Sequence, residues 1–323
     1  MFAAAVQGLR ANPAFARDVA AGLTSVPQKM LPASWLYDEV GTALFEVITV
    51  LPEYGLTRAD GALLAGAAEE IVTAAGYPAT VVELGSGTGT KTRHILTAAA
   101  AAQRDIEYLP IDISRVALDN CEAALRTIAG VRIAPVEANY LEGIDLALAE
   151  RAGAGHALIL FLGSTIGNFT REEAGTFLQR VRQRLRPGDS LLLGADLVKP
   201  RATLLRAYDD SLGVTAAFNL NLLARINREL GGQFDLAQFA HEARYNERQS
   251  RIEMHLRSRV AQEVAIGALD LRVSFARGET IWTESSHKFR MEEIRGIGEE
   301  AGWRTARQWV DREWGFAETL FIA

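Results

Sequence analysis

Short, almost uninterrupted apolar runs alternate along the chain with stretches whose apolar residues recur every three or four positions. The runs are Thr80 to Leu84, Glu107 to Asp112, Val131 to Val136, Ala157 to Gly163 and Ser190 to Gly194. Each has the length of a strand, and most lack the polar-apolar alternation of a strand with one wet face, which predicts strands buried on both sides. Between them, Lys91 to Ala102, Ser114 to Ile128 and Glu172 to Leu185 read as helices, the last closed by Pro187-Gly188-Asp189. Strands alternating with helices predict a parallel sheet covered on both faces, an α/β fold of the doubly wound, nucleotide-binding type.

The two ends of the pattern differ. Residues 1–26 read as a short helix with loose ends. Residues 35–72 carry helical spacing (Leu44, Phe45, Ile48, then Leu63, Leu64, Ala67, Ile71), broken by a loop at Leu51-Pro52-Glu53-Tyr54-Gly55. After Lys199-Pro200 the strand–helix rhythm stops. Ala202 to Leu230 reads as largely helical with Tyr208-Asp209-Asp210 inside it, and Arg251 to Arg259, Val264 to Ile266 and Leu269 to Phe275 read as strands. This predicts an inserted α+β domain. The tail returns with a helix from Met291 to Ala301, the segment Trp303 to Trp309, and a last strand near Thr319 to Ile322.

Charge narrows the partners. The 323 residues hold 34 Lys and Arg against 40 Asp and Glu, a net charge of −6. Such a surface repels phosphate backbones, so no nucleic-acid partner is expected. The single cysteine, Cys121, can form neither an intrachain disulfide nor a thiolate cage, and its place among Leu118 and Leu125 predicts a core filler. Arg10, Arg17 and Asp18 interrupt the N-terminal apolar stretch, and no apolar run approaches the roughly 20 residues that span a bilayer. The expectation is a cytoplasmic monomer with no membrane partner.

The chemistry starts at Glu83-Leu84-Gly85-Ser86-Gly87-Thr88-Gly89, between a predicted strand and a predicted helix. Glycines there allow a sharp turn and close approach of a ligand. The third glycine of a dinucleotide fingerprint is missing, which disfavours a dinucleotide-dependent oxidoreductase. Asp112 ends the next strand, where an acid accepts from ribose hydroxyls. Together these resemble the first two motifs of class I methyltransferases, which bind S-adenosylmethionine, with Asn139-Tyr140 placed to grip the adenine. No two of His94, His156, His241, His255 and His287 have metal-ligand spacing, so no metal is expected. The glycine spacing around Ser164 is wrong for a serine-hydrolase elbow.

Longer strings are more specific. Trp35-Leu36-Tyr37-Asp38, Leu51-Pro52-Glu53-Tyr54, Lys91-Thr92-Arg93 and Phe161-Leu162-Gly163-Ser164-Thr165-Ile166-Gly167-Asn168 form one group. Asp196-Leu197-Val198-Lys199, Arg206-Ala207-Tyr208-Asp209-Asp210, Gly213 to Asn219, Arg251 to Met254 and Thr283 to Phe289 form another. With the glycine turn they resemble the bacterial L-histidine Nα-methyltransferases of ergothioneine biosynthesis, from about residue 17 to the end. The resemblance implies trimethylation of the α-amino group of L-histidine to hercynine, with S-adenosylmethionine as cofactor. It implies that Tyr37, Gly85, Lys91, Asp112, Asn139 and Tyr140 line the cofactor pocket. Tyr54, Asn168 and Tyr208, with Gly163 nearby, would hold the amino-acid backbone groups. Glu284 and Ser286 would bind the imidazole, flanked by Phe218 and Met254. No catalytic base is assigned. The implied division is 1–19, 60–195 and 288–323 for a Rossmann-like cofactor domain, and 20–59 with 196–287 for a substrate-binding domain acting as a lid.

Two departures from that family stand out. Asn139-Tyr140 replaces a frequent Asp-Phe pair, though an asparagine carbonyl still accepts from an adenine amino group. Gly55 stands where some members carry a second tyrosine. The rival substrate is another aromatic amino acid such as tryptophan. Imidazole wants polar partners at both ring nitrogens and indole offers one donor, so Glu284 and Ser286 favour histidine.

Overall fold

A computed structural model describes residues 12–323 except 104, 150 and 152–154. The chain divides into two compact units: one holds the described residues up to Gly55 together with Pro200–Ser286, the other Leu56–Lys199 and His287–Ala323.

The second unit is the predicted α/β layer. Its eight-stranded sheet runs Arg304–Asp311, Phe316–Ile322, Ser190–Asp196, Ala157–Phe161, Thr80–Leu84, Ile106–Asp112, Val131–Ile133, with Val136–Glu137 also on Ile106–Asp112. The strands from Ser190–Asp196 onward pair in parallel, and the two C-terminal strands add antiparallel. Thr80–Leu84 is central, and the chain builds outward from it on both sides. That makes its carboxyl end the switch point where ligands of this architecture bind.

Alternate residues of each strand feed opposite cores. Val81, Leu158 and Leu192 pack with Ile71, Ile95 and Leu125 from the helices Leu56–Ala74, Thr92–Ala102 and Arg115–Leu125. Val82, Ile159 and Leu191 pack with Ile144, Val181 and Ile294 from Tyr140–Ala149, Arg171–Arg182 and Met291–Glu300. The expected Val131 to Val136 strand is two short pieces, because Pro135 at the break has no N–H to donate to a ladder. The helix Tyr140–Ala149 escaped the periodicity reading; a Cβ on its Gly143 would lie 2.4 Å from Ile111, so the glycine lets the helix lie directly on the sheet.

The first unit carries a four-stranded sheet in the order Lys29–Met30, Thr280–His287, Arg251–Ser258, Phe239–Asn246, and a hairpin of Gln262–Ile266 with Leu271–Phe275. The long helix Val214–Leu230 buries Phe218, Leu222 and Ile226. Three of these strands went unread, since Phe239–Asn246 and Thr280–His287 mix polar and half-buried positions and Lys29–Met30 is two residues long. The largely helical stretch expected over Ala202 to Leu230 is two helices, Arg201–Tyr208 and Val214–Leu230. Gly213 at φ +74° turns the chain, and the Asp210 carboxylate accepts from the Val214 and Thr215 N–H groups at 3.0 and 2.7 Å, so the acid caps the second helix.

Residues 12–19 also correct the expected division. The helix Pro13–Leu23 packs Phe15 at a tilt against Trp35, ring centres 5.0 Å apart, under the Arg225 guanidinium, and so belongs to this unit rather than to the parallel sheet. Residues 1–11 of the expected first helix lie outside the described residues. No helix among the described residues is long and apolar enough to cross a membrane.

Candidate active site

At the carboxyl edge of the parallel sheet, Thr80–Leu84 ends in three positive-φ glycines: Gly85 at +74°, Gly87 at +50° and Gly89 at +66°. A Cβ at Gly85 would meet the Tyr140 hydroxyl at 3.2 Å, whereas one at Gly87 would meet nothing. Gly89 sets the following helix close: a Cβ there would lie 2.7 Å from both Cys121 Sγ and Leu125 Cδ1. Asp112 ends the adjacent strand, accepts from the Ser114 N–H at 2.9 Å and faces the Gly87 N–H. Burial pushes its carboxyl pKa up, against the pull of these backbone donors. Tyr140 packs edge-on against Phe161 and Phe177, and burial together with the Asp112 charge raises its phenol to about 12. Gly85, Asp112 and Tyr140 are therefore brought together.

Asn139 is exposed and caps the next helix, its Oδ1 accepting from the Glu142 N–H at 3.1 Å and its Nδ2 donating to Glu142 Oε2 at 3.0 Å. One lone pair of the Asn139 carbonyl is left for a ligand. Glu83, the acid of the glycine motif, points away into the layer. It is 3% exposed, accepts from the Thr92 hydroxyl at 2.7 Å and from Tyr108, and burial raises it to about 7.

Lys91 and Gly163 form a second group in the same unit. Lys91 Nζ pairs with Asp60, and the Gly163 N–H donates to the same Asp60 oxygen at 3.0 Å. Burial would lower the lysine pKa, but the Asp60 carboxylate outweighs it and holds the ammonium above its ordinary value. Gly163 has φ +70°, and a Cβ on it would lie 3.4 Å from Lys91 Nζ. Asn168 closes the 3-10 turn Thr165–Asn168 and is exposed.

The other predicted residues gather in the first unit. Tyr37 meets Phe45 and Phe218 edge-on at 5.4 and 5.5 Å, and Tyr54 meets Phe45 and Tyr208 at 6.4 and 6.0 Å. The Tyr208 and Ser286 hydroxyls are 2.7 Å apart. Ser286 and Glu284 are two apart on the strand Thr280–His287 and so share a face. Met254 is buried on the neighbouring strand.

Beneath them runs a polar chain absent from the sequence reading. His241 Nε2 donates to the Tyr208 carbonyl at 2.7 Å, and Asn219 Nδ2 donates to His241 Nδ1 at 3.0 Å. Thr283 donates to Asn219 Oδ1 at 2.7 Å. Burial lowers the His241 pKa, consistent with the neutral ring this chain of donors requires. Asn219 and Thr283 each neighbour a predicted substrate residue, Phe218 and Glu284. Phe45, central to the aromatic group, was legible only as a helix-core residue.

Residues 15–323 match the family described as histidine-specific methyltransferase, SAM-dependent. This chain belongs to that family. A histidine N-alpha-methyltransferase of Mycolicibacterium smegmatis is 46% identical over 97% of this chain and 96% of that one. One of Mycobacterium tuberculosis is 45% identical over 95% and 94%. An ergothioneine biosynthesis protein 1 of Neurospora crassa is 36% identical, over 63% of this chain and 23% of that longer protein.

For a histidine-specific methyltransferase that uses S-adenosylmethionine, the parallel-sheet unit offers fitting donors and acceptors. Gly85 and Gly87 leave exposed backbone at the turn, with open space above Gly87. Asp112 supplies an acceptor of the kind ribose hydroxyls need, and Lys91 is a cation with donors beyond the one given to Asp60. The expected α/β methyltransferase layer, the enzyme class and the cofactor are those of the family.

Proposed function

We propose that this methyltransferase places three methyl groups on the α-amino nitrogen of L-histidine, giving hercynine, the betaine of ergothioneine biosynthesis. The observation that carries the reading is the pair Glu284 and Ser286 on one strand face, with Ser286 tied to Tyr208, in a chain of the histidine-specific family. A carboxylate and a hydroxyl side by side suit the two nitrogens of an imidazole. A bare apolar wall would suit indole as well. Phe218 and Met254 supply the flanking apolar surface.

S-adenosylmethionine, when bound, supplies an electrophilic methyl group on a cationic sulfur. Asp112 accepts from the ribose, Asn139 and Tyr140 border the adenine, and Lys91, Gly85 and Tyr37 complete the cofactor contacts. Tyr54, Tyr208 and Asn168, with Gly163, hold the carboxylate and the amine of the amino acid. What these residues do is positioning: an unprotonated amine must lie in line with the methyl at roughly 3 Å, and holding it there accounts for much of the rate.

Asn168 gives a direct test. Asn168→Ala is expected to lower turnover by roughly a hundredfold, the loss expected when reactants are misplaced by about an ångström. The dissociation constant for S-adenosylhomocysteine should stay within about threefold, a difference of no more than about 0.7 kcal/mol. Near wild-type turnover would reduce Asn168 to a turn residue.

A further inference from the structure

Glu318 stands out as a carboxyl group that the site above does not use. It lies on the strand Phe316–Ile322, is 0% exposed, and neither of its oxygens has a hydrogen-bond partner apart from what Asp60 offers. Its neighbour across the ladder is Gly194. A Cβ there would lie 2.9 Å from Glu318 Oε1 and 3.3 Å from the Gly163 nitrogen. The glycine thus leaves a lane over the sheet, and Glu318 fills it, pointing toward Asp60. Asp60, also 0% exposed, uses Oδ2 for Lys91 and the Gly163 N–H, while its Oδ1 has no partner of that kind.

We propose that Glu318 donates a hydrogen bond to Asp60, and that the pair acts as a positioning device that fixes Lys91 for the methyl donor. Two carboxyl groups out of water and in contact cannot both carry charge at ordinary pH, so one must keep a proton. Burial and then the Asp60 charge hold Glu318 in its protonated form, while Lys91 acts the other way. Glu83, the remaining acid facing this group, is held by Tyr108 and Thr92 and also favours the lysine cation. One proton among Asp60 and Glu318 leaves a single negative charge opposite the Lys91 ammonium. A carboxylate locked by a donor at one oxygen presents the other in a fixed direction, and Lys91 inherits that direction.

The inference rests on Lys91 serving the methyl donor, so both are tested together. S-adenosylhomocysteine is titrated calorimetrically into wild type, Glu318→Ala, Glu318→Gln, Asp60→Asn and Lys91→Ala, and the KM for histidine is measured at saturating S-adenosylmethionine. Glutamine can still donate to Asp60. Glu318→Ala and Asp60→Asn are expected to weaken binding about tenfold, with the histidine KM little changed, and Glu318→Gln to recover most of the loss, the scale of one charge-assisted hydrogen bond. Glu318→Ala binding like wild type while Lys91→Ala binds weakly overturns the inference alone. Lys91→Ala binding like wild type overturns it through its premise. Glu318→Gln as weak as Glu318→Ala, or Asp60→Asn at full affinity, overturns it as well, and those two variants decide the matter if the alanine form does not fold.

Discussion

Glu284 and Ser286 carry the substrate reading at the scale of single residues, and their side-chain chemistry makes it testable. If Glu284 accepts from the imidazole N–H, removing it strands a donor in a closed pocket, which costs about 1–3 kcal/mol. Glu284→Ala is then expected to lower kcat/KM for histidine by roughly tenfold or more, while tryptophan loses little. Competition kinetics with both amino acids in one vessel reads the ratio directly; a ratio unchanged by the mutation removes Glu284 from substrate recognition. The sequence made these residues legible through long motif strings rather than through chemistry, since a glutamate on a half-polar strand looks like any surface charge. Asp60, Glu318 and His241 stayed illegible because each acts through partners distant in sequence, such as the 258 positions from Asp60 to Glu318.

At the scale of elements, the buried parallel strands were readable because burial on both faces leaves unbroken apolar runs. Ala157–Phe161 and Thr80–Leu84 are buried at every position. The antiparallel strand Phe239–Asn246 is half-buried along nearly its whole length and gives no such signal. The glycine turn was read for its ligand, yet Gly89 serves packing: the turn brings Thr92–Ala102 close to Arg115–Leu125. Its φ of +66° and the 2.7 Å approach of Cys121 and Leu125 leave no room for a side chain. Gly89→Val is expected to destabilise the fold by about 2–4 kcal/mol, combining strain at a left-handed position with overpacking. Chemical denaturation measures it, and an unfolding midpoint equal to that of wild type would contradict this packing.

For the whole molecule, the buried Glu83 ties stability to pH. Its carboxyl is raised from 4.5 to about 7, so the folded state holds the proton more tightly than the unfolded chain. The stability it contributes is complete below pH 4.5 and is lost as pH rises to about 7. Glu83→Gln cannot ionise. Its melting temperature, relative to wild type, should therefore climb between about pH 5 and about pH 8, by the equivalent of at most about 3 kcal/mol. A constant difference across that range would show that Glu83 titrates normally. The two units divide the work in the same spirit: the parallel-sheet unit carries Asp112, Lys91 and the glycine turn, and the other carries the aromatic group with Glu284 and Ser286. The account as a whole stands on what is methylated, where and how often. The measurement is mass spectrometry with product fragmentation after incubating the protein with S-adenosylmethionine and an equimolar mixture of the proteinogenic amino acids. The account predicts a single final product, histidine bearing three methyl groups on its α-nitrogen. Methylation of another amino acid in preference, or of the imidazole ring, would contradict it.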